Sequence, residues 1–412
     1  MPSSPPNDTL TKEILPLIEV AKQSLKGITK ESPCLPSTEL SEITGADVYL
    51  KFENRQRTSS FKERGAYFKL SSLSPTEKEQ GVIAMSAGNH AQAVSYHAQN
   101  LNIPCTIVMP KFTPDVKVRH TRKFGAEVII HGDSLEEAAD LARELLKKNK
   151  LTLIHPYDDK HIIAGQGTIA YEIKQSVPDI EVLIIPIGGG GLISGISIAA
   201  KHLNPKIKII GVEAERYPSM QQAIEGKTIR CGRTTLADGI GVKRPGEITK
   251  KIIKELVDDI LLVNELAIEQ ALLLLLQKEK TVVEGAGAVA LAALLSHPQK
   301  FQGKKVGLIL SGGNIDMPVL SLIIQRGMER AQRLVRLVVT LRDIPGALGD
   351  VCQNIEKTSA NIVNITHQRT FTKLPLEAVE VTIMLQTRGP EHIEEIIMKL
   401  KKSNVQCRLL DS

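Results

Sequence analysis

Early in the chain the run Ser60-Phe61-Lys62-Glu63-Arg64-Gly65 sets an amine among small and apolar neighbours at the entry to a segment of helical character. Desolvation lowers the pKa of such an amine and makes it a nucleophile able to form a Schiff base with a carbonyl. A solvated surface lysine is the ordinary alternative, so Lys62 alone decides nothing. Three further stretches offer complementary chemistry. Gly188-Gly189-Gly190-Gly191 follows an apolar run and precedes a helical stretch. Adjacent glycines let backbone N–H groups close on a phosphate at the positive end of a helix. The stretch is neither a Walker A loop, since no Gly-Lys-Ser/Thr follows, nor GxGxxG, since Leu192 and Ile193 follow. A flexible turn is its other reading. In Ser86-Ala87-Gly88-Asn89-His90, N–H groups at a helix start suit a carboxylate, and the Asn89 amide can donate to a phenolate oxygen. Simple N-capping by Ser86 is the alternative there. Ser311-Gly312-Gly313-Asn314 also follows an apolar run and reads equally as a plain turn.

These stretches need elements to hold them. Residues 15–25 have helical periodicity, and 48–53 read as a strand followed by a polar loop, 54–60. Short apolar runs at 82–85, 105–109 and 128–130 then alternate with helical stretches at 91–99, 117–124 and 134–148. The pattern returns with strands at 182–187, 207–212 and 306–310 and a helix running from the tetraglycine to about residue 202. Such alternation argues for βαβ units and a parallel sheet, an α/β fold whose ligands sit at the carboxyl ends of the strands. The last segment differs. Strands at 334–341, 361–368, 378–386 and 405–410 and helices at 347–357 and 391–402, with a turn at Asp343-Ile344-Pro345-Gly346, give the order βαββαβ of a ferredoxin-like module. The expected organisation is a catalytic domain over 1–330, with a small subdomain at about 50–155 inserted in it, and a second domain over 334–412.

The bulk composition narrows the function classes. The chain has 412 residues, 42% hydrophobic and 24% charged, as in an ordinary soluble globular protein. Aromatics make up 3% and Trp is absent, which disfavours nucleic-acid binding by base stacking. The net charge of +6 is spread along the chain, and the densest basic stretch, 326–336, reads as a solvated helix face. Five scattered cysteines without a CxxC pair suggest free thiols in a reducing compartment. The Pro/Ser-rich residues 1–9 lack the apolar region of a signal peptide and are expected to form a short disordered tail. The most apolar stretch, 271–276, is too short for a bilayer span. The expectation is a cytoplasmic protein with no nucleic-acid or membrane partner.

Taken together and in this order, the runs 60–65, 86–90, 188–192 and 311–314 resemble the signature set of the fold-type II, tryptophan-synthase-β-like pyridoxal-phosphate (PLP) enzymes, in particular the threonine/serine dehydratases. The resemblance covers roughly residues 10–325, and the last segment resembles an ACT domain, a small-molecule regulatory module. The resemblance implies PLP as cofactor, with Lys62 as the Schiff-base lysine and Phe61 lining the pocket. Asn89 would bond the 3′-oxygen of the ring, Gly188, Gly189, Gly190, Gly191 and Leu192 would hold the phosphate, and Ser311 would sit at the pyridine nitrogen. Backbone groups of Ser86, Ala87, Gly88, Asn89 and His90, with Gly239 of the Ala237-Asp238-Gly239 stretch, would take the substrate carboxylate. Glu284 lies in another stretch of the family near the cofactor.

The implied reaction is β-elimination: L-threonine gives 2-oxobutanoate and ammonia, with L-serine giving pyruvate as a side activity. A neutral Ser311 at the ring nitrogen favours prompt elimination over the long-lived carbanion that transamination needs. Mammalian-type serine racemases carry a second acid/base, a serine, two residues before the asparagine; Ala87 stands there, which argues against racemisation as the main activity. Some relatives hold a divalent cation; Glu213 fits that pattern, but Ser219 stands where the resemblance implies an Asp, which argues against a divalent site and leaves a monovalent one open, and no metal site is assigned. Threonine synthase and cysteine synthase share the fold but do not usually carry an ACT-like module. A non-catalytic amino-acid sensor is the rival from another class, opposed by the intact Lys62, Asn89 and tetraglycine. The resemblance further implies a homodimer or homotetramer and an amino-acid effector, isoleucine or valine in a biosynthetic enzyme, bound near Asp343, Pro345, Gly346 and Asn364.

Overall fold

A computed structural model describes residues 9–370 and 374–410. The expected disordered tail lies outside the described residues up to Asp8, and Thr9 already opens the helix Thr9–Ser24. The chain divides into two compact units, 1–315 and 316–412. The helix Met317–Arg330, which the sequence reading placed in the first domain, groups with the second unit.

Among the described residues the first unit has ten strands: β1 (Cys34–Pro36), β2 (Asp47–Lys51), β3 (Val82–Met85), β4 (Cys105–Met109), β5 (Glu127–Ile130), β6 (Thr152–Leu153), β7 (Val182–Pro186), β8 (Lys208–Ala214), β9 (Asp259–Val263) and β10 (Lys305–Ile309). They form two sheets. The larger has the order β1-β2-β10-β7-β8-β9, parallel throughout except for β1, which runs antiparallel to β2. The smaller, β5-β4-β3-β6, is wholly parallel. All five residues of β7 are buried, the near-continuous apolar run of a strand covered on both faces. Residues 86–90, 187–190 and 310–314 therefore leave the carboxyl ends of β3, β7 and β10, where open α/β sheets bind ligands.

The helix Lys160–Ser176 lies between two helices that matter for the site. Its start is capped by Asp159, whose carboxylate accepts the N–H groups of His161 and Ile162. On one side it meets the helix Lys62–Ser71, where a Cβ on Gly165 would stand 2.6 Å from the Gly65 Cα. On the other it meets the helix Gly191–Leu203, where a Cβ on Gly195 would stand 2.1 Å from the Ile163 carbonyl oxygen. Backbone-to-backbone approach of this kind fixes the spacing between the start of the Lys62 helix and the start of the tetraglycine helix.

A buried ionic cluster locks the same helix in place. Arg64 donates from Nε to Glu53 Oε2 at 2.9 Å and from Nη2 to Glu53 Oε1 at 2.8 Å and Glu172 Oε2 at 2.7 Å. Its Nη1 reaches Thr168 Oγ1 at 3.1 Å. Lys51, wholly buried at the end of β2, pairs with Glu172 and donates to the Ser32 carbonyl. Two cations face two anions, so the cluster is neutral, as buried charge must be to persist.

The second unit runs β11 (Leu334–Arg342), helix Ala347–Glu356, β12 (Asn361–Gln368), β13 (Ala378–Gln386), helix Pro390–Lys402, β14 (Gln406–Leu409). Its sheet has the order β12-β13-β11-β14 and is antiparallel, the βαββαβ arrangement read from the sequence. Alternate residues of β13 face a core shared with the two helices.

Candidate active site

The loop before Lys62 is laid against the loop after β10. Phe61 N–H donates to the Ser311 carbonyl at 3.1 Å, Gly313 N–H to the Ser59 carbonyl at 2.9 Å, and Ser60 bridges Gly312. Lys62 is the first residue of its helix. Its Nζ donates to the Pro156 carbonyl at 2.7 Å and lies 5.2 Å from the centre of the Phe61 ring. Burial lowers its pKa to about 8, opposed in part by the charge of Glu284. Lys51, which is wholly buried, is by contrast tied up in ion pairs.

Asn89 opens the helix Asn89–Asn100. The N-cap position is Gly88, and Ser86 Oγ accepts from the Gly88 N–H at 3.2 Å, so Ser86 does not cap this helix. The Asn89 Nδ2 donates to Glu284 Oε1 at 2.6 Å, and its Oδ1 accepts from Asn314 Nδ2 at 2.6 Å. Glu284 stands at the N-cap position of the helix Gly285–Ser296, without a side-chain capping bond, and is itself buried; burial and the charge of Asp238 push its pKa up to about 7. A Cβ on Gly239 would stand 3.4 Å from Glu284 Oε1, and one on Gly188 would stand 3.1 Å from the Ile240 Cα. The stretches 237–241 and 283–287 thus meet beside the tetraglycine and Asn89. Ser311 is buried, and its Oγ donates to the Ala286 carbonyl at 3.3 Å.

The tetraglycine turns with Gly190 at φ +97°, a left-handed conformation that favours glycine, and Gly191 and Leu192 begin the helix Gly191–Leu203. Thr249 Oγ1 fixes the loop by donating to the Gly189 carbonyl at 2.7 Å. The Tyr157 ring covers Gly189 so closely that a Cβ there would fall 2.2 Å from it. Pro156 and Tyr157 therefore link the Lys62 amine to the glycine cradle. Sequence reasoning missed both, because neither belongs to a motif and their role exists only through tertiary contact.

The His90 ring is buried and engaged by a backbone carbonyl. Its Nε2 bonds the Ile154 carbonyl at 2.8 Å, and burial, with the nearby Lys62 charge, lowers its pKa to about 3. His97, on the same helix, packs between Tyr67 and Tyr96 and lies 3.9 Å from Glu63 Oε2. That distance would admit an ion pair, but burial lowers the His97 pKa to about 3, so its ring is neutral, and burial also raises the pKa of Glu63. Both histidines keep folded pKa values well below the ordinary 6.5. The unfolded chain then binds more protons between those limits, so stability is complete above pH 6.5 and is lost as pH falls. Each histidine contributes a slope of up to ~1.4 kcal/mol per pH unit. The buried carboxyls of Glu213 and Glu284, pushed up to about 7, act in the opposite sense over the same range, so the test is differential. His97→Phe should remove one histidine's share of the pH dependence of the thermal midpoint between pH 7 and pH 5, and an unchanged slope in that variant would contradict the assignment.

Glu213 Oε1 and Oε2 accept from the N–H groups of Met220 and Gln221 at 2.8 and 2.9 Å, and Ser219 Oγ donates to the Val242 carbonyl at 2.6 Å. In the second unit Asp343 pairs with Arg369 at 3.1 Å, which holds its carboxyl below the usual range. Gly346, with Pro345 before it, caps the helix Ala347–Glu356 at φ +90°, and Asn364 lies where the β12–β13 register shifts.

A buried amine of lowered pKa, a glycine cradle closed to any Cβ, an amide and a neutral hydroxyl are the donor set that a phosphorylated pyridine aldehyde requires. Residues 25–312 match the family described as pyridoxal-phosphate dependent enzyme. The chain belongs to this family. Residues 330–405 match the ACT domain family. The chain is 43% identical over 395 residues to L-threonine ammonia-lyase of Thermotoga maritima, covering 95% of this chain and 98% of that one. The processed form of threonine deaminase isoform 2 from Solanum lycopersicum superposes with a TM-score of 0.73 at 37% identity, over 78% of this chain and 94% of that one. Maize serine racemase gives 0.71 at 33% identity, over 77% and 98%. As a PLP enzyme the chain has a fold-type II catalytic unit and a C-terminal ACT unit.

Proposed function

We propose that this PLP enzyme is an L-threonine ammonia-lyase, forming 2-oxobutanoate and ammonia from L-threonine, with pyruvate from L-serine as a side activity. The observation that carries the reading is the Lys62 amine, buried and held by the Pro156 carbonyl within the cradle-and-amide constellation. Full-length similarity to the Thermotoga maritima enzyme, ACT unit included, supports the substrate.

In this reading Lys62 binds the cofactor aldehyde, Phe61 lines the pocket, and Asn89 donates to the ring oxygen. Gly188, Gly189, Gly190, Gly191 and Leu192 hold the phosphate, and Ser311 meets the ring nitrogen as a neutral partner. Bound PLP supplies the electron sink. Lys62, set free where the substrate amine takes its place, would take the proton from the substrate α-carbon, a role its lowered pKa suits, and that proton balances the one needed for the β-hydroxyl to leave as water. The backbone of residues 86–90 and Gly239 orient the substrate carboxylate. The methyl side chain of Ala87 has no proton to return from the opposite face, so loss of the β-hydroxyl as water outruns inversion. The released enamine then hydrolyses to the 2-oxo acid and ammonia.

The finer organisation belongs to the same proposal: a catalytic domain over 1–330 with a small subdomain at about 50–155, a regulatory domain over 334–412, and a cytoplasmic homodimer or homotetramer. Asp343, Pro345, Gly346 and Asn364 would contact an amino-acid effector. One assay tests the whole: 2-oxo acid formation from threonine and serine in parallel, with and without isoleucine, alongside chiral analysis of the remaining serine. The expected result is 2-oxobutanoate from threonine with no accumulation of D-serine. D-Serine as the main product would replace the lyase by a racemase, and an unchanged rate and oligomeric state with isoleucine would remove that effector.

A further inference from the structure

We infer that Asn314 is a positioning residue that fixes which way round the Asn89 carboxamide sits, so that Asn89 presents an N–H to the ring oxygen of PLP. The inference rests on the reading of Asn89 as that oxygen's partner. A carboxamide has two ends of nearly equal size and opposite hydrogen-bonding sense, and its neighbours choose between them. At Asn89 a flip would aim a carbonyl oxygen at an anionic oxygen.

The choice traces back to a backbone carbonyl. Asn314 Nδ2 is 2.9 Å from the Thr58 carbonyl oxygen, which can only accept, so the Asn314 atom facing it must be the NH2. The same NH2 gives its second proton to Asn89 Oδ1 at 2.6 Å. That contact makes the facing atom of Asn89 its oxygen and turns the Asn89 NH2 to the other side, where one N–H goes to Glu284 Oε1 at 2.6 Å. The other N–H of Asn89 remains for a ligand. Glu284 cannot set this polarity by itself: a buried carboxyl pushed up to about 7 accepts when ionised and donates when protonated, and so fits either end of an amide. Thr58 and Asn314 lie on loops already held together by the Gly313–Ser59 hydrogen bond and the Ser60–Gly312 bridge. The anchor is thus as rigid as the loop that carries Lys62.

The test uses Asn314→Asp, which keeps the shape but can donate to neither acceptor, and Asn314→Ala, each alone and combined with Asn89→Ala. Asn314→Asp changes no volume and Asn314→Ala adds no charge, so a folding defect in one, seen in thermal unfolding, leaves the other to decide. Two readouts are followed: cofactor retained on dilution of the holoenzyme, and the visible absorption of bound PLP. Losing a hydrogen bond to a charged oxygen corresponds to about a tenfold weaker PLP affinity. It also moves absorption to shorter wavelength, because the donor favours the ionised ring oxygen. Both changes are expected in the single variants and are expected to vanish in the Asn89→Ala background, since the residue acts only through Asn89. Wild-type affinity and spectrum in a folded Asn314→Asp, or an undiminished effect in the Asn89→Ala background, would overturn the inference. If Asn89→Ala itself moves neither readout, the assignment of Asn89 falls first and the inference with it.

Discussion

Changing Lys62 to alanine should lower 2-oxobutanoate formation from threonine by at least ~10³-fold, the scale of a lost general base, and erase the visible absorption of bound cofactor. Lys62 is the desolvated amine held by a lone backbone carbonyl, while the more deeply buried Lys51 is neutralised by Glu53 and Glu172. Compared free of cofactor, the variant and the wild type should unfold at nearly the same temperature, because the variant loses one hydrogen bond and also relieves the cost of burying an amine. Rapid turnover surviving in Lys62→Ala would sink the mechanism, and a large loss of stability would point to a structural role.

Arg64 should behave in the opposite way. Arg64→Ala leaves Glu53 and Glu172 with Lys51 as their remaining cation, an unbalanced charge in a site where the Arg64 side chain is 1% exposed. Breaking a buried pair from one side costs about 3–5 kcal/mol. Denaturant unfolding of the variant should show that loss. Arg64→Lys should recover part of it, since an ammonium keeps the charge but cannot reproduce the forked contacts to both carboxylates. A loss below about 1 kcal/mol in Arg64→Ala would mean that water compensates Glu53 and Glu172.

The sequence reveals more of the fold than of the finer site. Strands 105–109, 361–368 and 378–386 have the bounds of β4, β12 and β13, since each is an apolar or alternating run closed by turn residues. The three residues of β1 and the two of β6 are too short for any period to register. β9 went unassigned although Asp259–Val263 is an apolar run, because nothing chemical adjoined it. The Lys62, Asn89, tetraglycine and Ser311 stretches stand together because each follows a strand of the two parallel sheets, and that order is visible in one dimension. Tyr157 over Gly189, the Pro156 carbonyl on Lys62 and the Thr58–Asn314–Asn89 relay join residues distant in sequence, so no local pattern marks them. The reading of Ser86 as a helix cap failed for a local reason: Gly88 takes the cap, and Ser86 supports Gly88 from two residues away.

The strand order of the larger sheet also dictates a timetable for the growing chain. β2 lies between β1 and β10, with Asp47 beside Lys305 and Lys51 beside Ile309. The N-terminal pair of strands must therefore wait on the ribosome for almost the whole catalytic unit before its parallel neighbour exists. The smaller sheet is complete once residues 82–153 have emerged. Local contacts form early and distant parallel pairing late. The smaller sheet is thus the first part of the enzyme able to fold. During that interval β2, including the lysine that will later be sealed in the ionic cluster, is left with an open edge for chaperones or for aggregation.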